Sequence, residues 1–313
     1  MNRTAFLSAA FGASLALGVA VQPAEALSNR TWVSGKGADS GACGLATPCR
    51  TFAYAITQTN AGGEVDVLDP AGYGAVTIGK AISIINDGVG TAGVQIGSGG
   101  TAITVAAGAN DAVLLRGLTI EGTGIGAIGV QFSSGASLVI EKCTIRDFTG
   151  KGVFISPSST SSFAISDTVI SHIGFYGIYV IPSGSAGIDG LVSNVSIENA
   201  GAEAVDLSGS FSTSTSALGV SVVNSIAANS GGGFFTDTSA NQAATVLTVR
   251  DSASINNGAG LGAIGPNAAL RLSRSVVVGN SAATSVSNGG AIYTYGDNGF
   301  DVTVSGLIQA GLQ

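Results

Sequence analysis

The sequence predicts an all-β solenoid, a single-stranded parallel β-helix of about ten coils with a short N-terminal capping helix. Three observations predict this fold. Short runs of alternating polarity are separated throughout by Gly, Ser, Asn and Asp, which is typical of strands and turns. A similar segment recurs along most of the chain. The composition, with 48 Gly and only 10% charged residues among 313, suits stacked strands better than helices.

The first 26 residues are predicted to be a secretory signal peptide. An apolar run from Thr4 to Val21 is followed by small residues at Ala24 and Ala26, which form a cleavage site. Later apolar runs are interrupted every few residues, so we expect no membrane insertion of the mature chain. The product would be secreted, periplasmic or held at the cell surface. Its predicted parts are an N-terminal cap, 27–60, and a β-helix, 61–313.

The cap is expected to contain a disulfide and the only helix. Cys43 and Cys49 lie in one short polar loop, and such a pair forms a disulfide in an oxidising compartment. Cys143 lies in an apolar pattern and is expected to be a buried thiol. The segment Thr51–Gln58 has helical character and would cover the open end of the solenoid.

The repeat defines the coil. Glu141–Ile155 and Ser166–Val180 correspond position for position, and the same frame continues in both directions. We expect three short strands per coil, each paired in parallel with its counterpart about 4.8 Å away, and apolar residues filling the bore. Asp301–Ile308 would be the final strand. The marker positions of the frame, 24 to 30 residues apart, are Ile120, Ile145, Ile170, Ile197, Ala227, Ser254 and Val278.

This combination resembles the secreted right-handed parallel β-helix proteins, the pectin-lyase-like superfamily, from about Thr31 to Gln313. Its most specific parts are Pro48–Ile56, Gly62–Tyr73 and the iterated Ile-x-Asn/Asp-x-x-Ile frame. The resemblance implies a right-handed coil. It also implies that the outer face of the Gly-Ile-x-Val strand carries a substrate cleft, as in lyases and hydrolases of the superfamily. Activity does not follow from the fold alone.

The outward position of that strand gives a candidate glycan-binding row with aromatic residues at its centre. Sugar rings stack on aromatic faces, while their hydroxyls need polar partners. Gln131 and Asp206 would therefore be the hydrogen-bonding ends of the row. Phe175 and Tyr176 lie in the adjacent turn, and Tyr293 is expected to extend the row. The alternative is that these aromatics only stack on one another and stabilise the sheet. The row consists of Gln131, Phe154, Tyr179, Asp206 and Phe235.

No familiar catalytic set accompanies this row. A pectate-lyase reaction would need a basic residue beside calcium held by several carboxylates, and the galacturonase motifs do not occur. The single histidine, His172, falls in a column of polar turn residues and is interpreted as structural. The side chains of this column are expected to hydrogen-bond to each other and to the backbone. Glu121 and Arg146 are expected to form a surface ion pair. The other members of the histidine column are Asp147, Asn199, Asn229, Asn256 and Asn280.

Three functions are consistent with this sequence. We favour a non-catalytic, monomeric module without a cofactor that binds a polysaccharide or cell-surface glycan. The alternatives are a divergent polysaccharide lyase, with calcium, or glycoside hydrolase, and a purely structural extracellular scaffold. Nucleic acid is not expected as a partner, because 12 basic residues stand against 19 acidic ones and no basic run occurs. No catalytic or metal-binding residue is assigned.

Overall fold

The computed structural model describes residues 27–311, which form 31 strands and one helix. The strands form where inward-facing and outward-facing residues alternate. The predicted signal peptide, 1–26, lies outside the described residues. Between residues 27 and 311 no helix has the length and apolar character needed to cross a membrane.

The elements follow one another in a repeating cycle of three strands. The first third contains β1 (Ser28–Val33), α1 (Phe52–Gln58), β2 (Thr59–Val67), β3 (Ala71–Gly72), β4 (Val76–Ile78), β5 (Ile82–Ile85), β6 (Ala92–Gln95), β7 (Thr101–Ala106), β8 (Ala112–Arg116), β9 (Leu118–Glu121) and β10 (Ile128–Ser134). The middle third contains β11 (Ser137–Glu141), β12 (Thr144–Phe148), β13 (Lys151–Ile155), β14 (Ser161–Ser166), β15 (Val169–Ile173), β16 (Ile178–Val180), β17 (Ile188–Ser193), β18 (Ser196–Ala200) and β19 (Glu203–Ser208). The last third contains β20 (Leu218–Val223), β21 (Ile226–Ala228), β22 (Gly232–Asp237), β23 (Thr245–Arg250), β24 (Ala253–Ile255), β25 (Ala259–Ile264), β26 (Ala268–Ser273), β27 (Val276–Val278), β28 (Ala282–Ser287), β29 (Ala291–Thr294), β30 (Gly299–Phe300) and β31 (Ile308–Gln309).

Three parallel sheets run along the solenoid. Sheet 1 has 12 strands in the order β1-β2-β5-β8-β11-β14-β17-β20-β23-β26-β29-β31. Sheet 2 has 10 strands, β3-β6-β9-β12-β15-β18-β21-β24-β27-β30. Sheet 3 has 9 strands, β4-β7-β10-β13-β16-β19-β22-β25-β28. The 27 strands from β2 to β28 therefore make nine complete turns, and the remaining strands add partial ones, which confirms the predicted solenoid of about ten coils.

Branched apolar side chains fill the bore in continuous stacks. Each stack consists of register partners on successive coils, so every coil buries its apolar surface against the next, at about 1.5–3 kcal/mol per fully buried side chain. One stack in sheet 2 is Ile120, Ile145, Ile170 and Ile197, all at most 1% exposed. One stack in sheet 3 is Val130, Val153, Ile178 and Val205, all 0% exposed.

The marker predicted for the last coil is wrong by one residue. Ser254 pairs with Val277, which is 1% exposed, whereas Val278 lies on the outer side. Three consecutive valines show no alternation of polarity, so the sequence does not show which of them points inward. The following turn fixes this choice, because Gly279 takes the left-handed conformation, with φ of 67°, that Asn256 takes one coil earlier.

A buried ladder of hydroxyl groups occupies the turn that precedes sheet 2. The Ser225 N–H donates to Ser252 Oγ at 3.1 Å, and the Ser252 N–H donates to Ser275 Oγ at 3.2 Å. Each of these three hydroxyls donates to the carbonyl two residues before it at 2.8 Å. Thr168 has the same role on an earlier coil. The ladder satisfies backbone N–H groups that the turn removes from the sheets.

The N-terminal end is closed by the predicted helix and disulfide. The Thr51 side chain caps α1, and Phe52 on the helix is fully buried with its ring centroid 5.0 Å from that of Tyr73. Cys43 and Cys49 are disulfide-bonded and fully buried just before the helix. The cap therefore covers the first coils with apolar surface.

The predicted final strand, Asp301–Ile308, is wrong over most of its length. Only Ile308–Gln309 pairs, with β29. Val302 is 55% exposed and Gly306 has φ of 80°, so the alternating valines of this segment do not bury a common face.

Candidate functional site

Sheet 3 places the predicted row in one outward column. The side chains on either side of each member point into the bore, so the members themselves point outward. The column, in which neighbours are register partners, is Gln131 in β10, Phe154 in β13, Tyr179 in β16, Asp206 in β19 and Phe235 in β22.

The far end of this column is buried, contrary to expectation. Asp206 is 6% exposed and Phe235 is 8% exposed, so Asp206 is not an accessible hydrogen-bonding end. The partners of Asp206 on both sides, Tyr179 and Phe235, are aromatic. Its Oδ1 makes no hydrogen bond with any described residue. Phe235 can lie low on the sheet because its partner on the next strand is Gly262, where a Cβ would come within 2.1 Å of Phe235 Cδ1.

A second outward position, three residues earlier on each coil, covers part of the first column. Tyr176 precedes Tyr179, and their ring centroids are 4.2 Å apart with planes 9° apart. Lys151 precedes Phe154, and its Nζ lies 4.7 Å from the centre of the Phe154 ring. The ring faces of Phe154 and Tyr179 are therefore partly occupied by neighbours and are not free platforms.

Four rings form an aromatic cluster, defined here as Phe154, Phe175, Tyr176 and Tyr179. Phe154 stacks on Tyr179 at 5.8 Å, and Phe175 meets Tyr176 edge-on at 4.6 Å with planes 87° apart. Mutual stacking, the alternative considered from the sequence, thus describes the inner rings. Phe175 is 50% exposed, so it and Tyr176 are the rings best placed to meet a ligand.

Both tyrosines of the cluster keep their phenol protons at neutral pH. Burial, together with the charge of Asp206, raises the pKa of Tyr176 to about 12. The same two causes raise the pKa of Tyr179 further. The two hydroxyls can therefore both donate and accept hydrogen bonds.

Three carboxylates belong to the same face, and the sequence interpretation found only one of them. Glu203 and Asp206 lie in β19, and Asp237 lies two residues after Phe235 in β22. Asp237 Oδ2 accepts hydrogen bonds from Ser208 Oγ at 2.9 Å and from Ser210 Oγ at 2.7 Å. The period of two residues that places Phe235 outward also places Asp237 outward, and this signal could have revealed it.

Burial raises the pKa of two of these carboxyl groups, Asp206 and Glu203. Loss of hydration raises the pKa of Asp206 well above its ordinary value, and the charges of Asp237 and Glu203 add to the effect. Burial also raises the pKa of Glu203, with a smaller contribution from Asp237. Among residues 27–311 no group of three or more His, Cys, Asp or Glu side chains is arranged to bind a metal ion.

Tyr293 does not extend the row. It lies in β29 of sheet 1, where it pairs with Arg271, and so it belongs to a different face of the solenoid. The prediction is misled by the local sequence Gly290-Ala-Ile-Tyr293, which resembles the strands of sheet 3 in having an apolar residue followed by an aromatic one.

His172 lies near the end of β15, where the chain turns from sheet 2 towards sheet 3, and is not a member of the predicted row. It is 65% exposed, and its Nδ1 is 3.8 Å from Asp147 Oδ1. Both residues adopt positive φ, as do Asn199, Asn229 and Asn256 on later coils. These three asparagines make no side-chain hydrogen bonds with other described residues, so the predicted bonded column is wrong.

The bonded column of this turn lies one residue further along. Its side chains point inward, where they meet backbone N–H groups of the preceding coil. The N–H groups of Ala200, Ser230 and Asn257 donate in turn to Ser230 Oγ, Asn257 Oδ1 and Asn280 Oδ1 at 3.1, 2.9 and 2.8 Å. Asn280 therefore belongs to a ladder, but not to the column of His172.

Two remaining candidates have structural roles. Arg146 and Glu121 are register partners and form an ion pair at 3.4 Å. Cys143 is 2% exposed, and burial raises the pKa of its thiol to about 11. The thiol is therefore protonated and inaccessible, as expected of a core residue.

Comparisons with known proteins concern the fold. The family described as "Right handed beta helix region" matches residues 64–218. No curated protein matches the chain in sequence. The crystal structure of pectate lyase Pel9A is 14% identical with a TM-score of 0.59, covering 92% of this chain and 80% of that one.

Two further solved structures are similar at lower scores. The A-module of the mannuronan C-5 epimerase AlgE4 from Azotobacter vinelandii is 12% identical with a TM-score of 0.47, covering 80% of this chain and 91% of that one. Pectin methylesterase from carrot is 10% identical with a TM-score of 0.49, covering 90% of this chain and 88% of that one. From its three parallel sheets, the family match over residues 64–218 and the likeness to Pel9A, the chain has the fold of a right-handed parallel β-helix.

Proposed function

We propose that the protein binds an extended glycan along sheet 3 without cleaving it. The observation that carries this proposal is the aromatic cluster on the outward face, with Phe175 half exposed and edge-on to Tyr176. Sugars pack their C–H faces on such rings and need hydrogen bonds for their hydroxyls. The phenols of Tyr176 and Tyr179 and the amide of Gln131 supply those bonds.

Truncation of the most exposed ring separates binding from packing. In Phe175→Ala we expect retention by soluble polysaccharides in affinity electrophoresis to weaken at least about fivefold, the effect of losing a binding hot spot. Stability should change by no more than about 0.5 kcal/mol, because the ring is half exposed. Phe154→Ala with Tyr179→Ala should also reduce retention, with a stability loss of about 1 kcal/mol from the lost ring contacts.

The matched control is Tyr293→Ala, which removes an outward tyrosine from sheet 1. Its retention should equal that of the unmodified protein. Unchanged binding in both Phe175→Ala and the double variant would mean that the cluster is only packing. Absence of retention by every polysaccharide would instead favour the structural scaffold.

Glycan cleavage is the second candidate, favoured by the relation of Asp206 to Asp237. Asp237 lies diagonally from Asp206, on the next parallel strand and two residues further along, which places their Cα atoms roughly 8 Å apart. Inverting glycoside hydrolases separate their acid and base by about 6.5–9.5 Å, and a raised pKa suits the acid. Burial of Asp206 opposes this role, since a substrate must touch the acid.

A product assay decides between binding and cleavage. We expect no new reducing ends and no ultraviolet absorbance of unsaturated sugars when the protein is incubated with polysaccharides, with or without calcium. Release of products that is abolished in Asp206→Asn would establish cleavage instead. Export is part of the proposal, and N-terminal sequencing of the secreted protein should begin at Leu27.

A further inference from the structure

We infer that the glycan bound by sheet 3 is a neutral polysaccharide rather than a polyuronate. This inference rests on the proposed function and names the class of its ligand. It is carried by the charges of the face, by the composition of the loops beside it, and by the position of its one cation.

The face has more negative than positive charge where the aromatic cluster ends. Across the nine strands of sheet 3, within residues 27–311, Lys151 is the only basic residue. The acidic residues of the same strands are Glu203, Asp206 and Asp237, on two adjacent strands. Even with the Asp206 carboxyl protonated, two carboxylates remain against one ammonium group.

Lys151 is already engaged with the protein. Its Nζ lies 4.7 Å from the centre of the Phe154 ring and 5.9 Å from that of Tyr179. A cation held over aromatic rings can still contact a ligand, but a single one cannot neutralise a carboxylate on every sugar of a chain. The carboxylates of β19 and β22 would then repel such a chain at close range, where screening by salt is weakest.

The loops that border sheet 3 offer hydroxyls and amides rather than charges. The four loops that follow β13, β16, β19 and β22 contain no Asp, Glu, Lys or Arg and are rich in Ser and Thr. These loops are residues 156–160, 181–187, 209–217 and 238–244. Neutral donors and acceptors complement sugar hydroxyls, whereas buried or clustered carboxylates reject an anionic competitor, which is how a site gains specificity.

The test compares neutral and anionic chains under conditions that remove bridging cations. The mature protein is titrated calorimetrically with hexamers of β-1,4-glucan, β-1,4-mannan and β-1,4-galactan, and with hexamers of galacturonate and mannuronate, at pH 7.5 in EDTA. We expect at least one neutral hexamer to bind ten or more times tighter than either uronate. The variant Glu203→Gln with Asp237→Asn should reduce that ratio at least threefold by improving uronate binding.

Each outcome bears on a different statement. Uronate binding equal to or tighter than neutral binding in EDTA overturns the neutral-ligand inference and leaves glycan binding standing. A preference for neutral chains that the charge-neutralised variant does not reduce overturns the electrostatic reason for it. Binding of none of the five hexamers overturns the proposed function, and the inference with it.

Discussion

Asp206 and Tyr179 are register partners on neighbouring strands of sheet 3, yet Asp206 is 6% exposed while the Tyr179 ring is only half-buried. The two groups affect each other, because the Asp206 charge adds to the burial that raises the pKa of Tyr179. A carboxyl group in this position is costly when ionised, since Oδ1 has no partner among the described residues.

Asp206 should make stability fall as pH rises. Because its pKa is raised on folding, the folded chain keeps this proton at higher pH than the unfolded chain, whose aspartate titrates near about pH 4. The unfolding free energy should therefore decrease from about pH 4 upward until the folded pKa is passed. In Asp206→Asn this contribution should be absent, so the variant gains stability relative to the unmodified protein as pH rises above about 4 in urea denaturation. Exposed Asp189→Asn is the control, and an Asp206→Asn curve parallel to that of the unmodified protein would contradict the assignment.

Gly262 should not tolerate a side chain while Phe235 lies over it. A Cβ would come within 2.1 Å of Phe235 Cδ1, so Gly262→Ala should cost about 1–3 kcal/mol of stability through overpacking. Gly219→Ala, also within a strand, is the control, because its Cβ would meet only Asp189 Oδ1 at 3.4 Å. In a double-mutant cycle, the cost of Gly262→Ala should largely vanish when Phe235 is also alanine. An undiminished cost would mean that the ring is not the obstacle.

The hydroxyl ladder should require an oxygen at position 252. Ser252→Ala leaves the buried Ser225 N–H without an acceptor, and we expect a loss of about 1–3 kcal/mol in chemical denaturation. Ser252→Thr should retain most of that stability, because Thr168 has the same role on an earlier coil. Equal losses for alanine and threonine would show that the volume of the side chain matters and not its hydrogen bond.

The disulfide should stabilise the cap specifically. Cys43 and Cys49 are 6 residues apart, and closing so short a loop is worth about 2 kcal/mol. Trp32, the only tryptophan, exchanges backbone hydrogen bonds with both cysteines, at 2.8 and 2.9 Å. Its fluorescence should therefore change at a lower denaturant concentration after reduction. Cys43→Ala with Cys49→Ala should behave like the reduced protein and be insensitive to reductant, and a Trp32 transition unaffected by both treatments would refute this role.

The sequence predicts the repeat well because each coil must bury the same face. Register is fixed wherever polarity alternates, as it does around Ile145 and Ile170, and these stacks occur as expected. Prediction of the register fails where polarity does not alternate, as in the three valines ending at Val278. It also fails at Tyr293, where a strand of sheet 1 has a local sequence similar to that of the sheet 3 strands.

The candidate site is less accessible to sequence reasoning. Periodicity shows that Asp206 and Phe235 point outward, but their burial depends on neighbouring rings and on the missing side chain at Gly262. The covering of Tyr179 by Tyr176 depends on side-chain torsions that no repeat specifies. Direction can thus be read from the pattern, while exposure requires the packed structure.

Saturation-transfer NMR tests the central claim most directly. Irradiation of the aromatic protons of the protein, in the presence of each of the neutral and uronate hexamers in turn, should transfer saturation to the ring C–H groups of at least one bound sugar. The transfer should persist in Tyr293→Ala and be strongly reduced in Phe175→Ala. No transfer from the unmodified protein, or equal transfer from Phe175→Ala, would contradict a glycan-binding face built on the aromatic cluster.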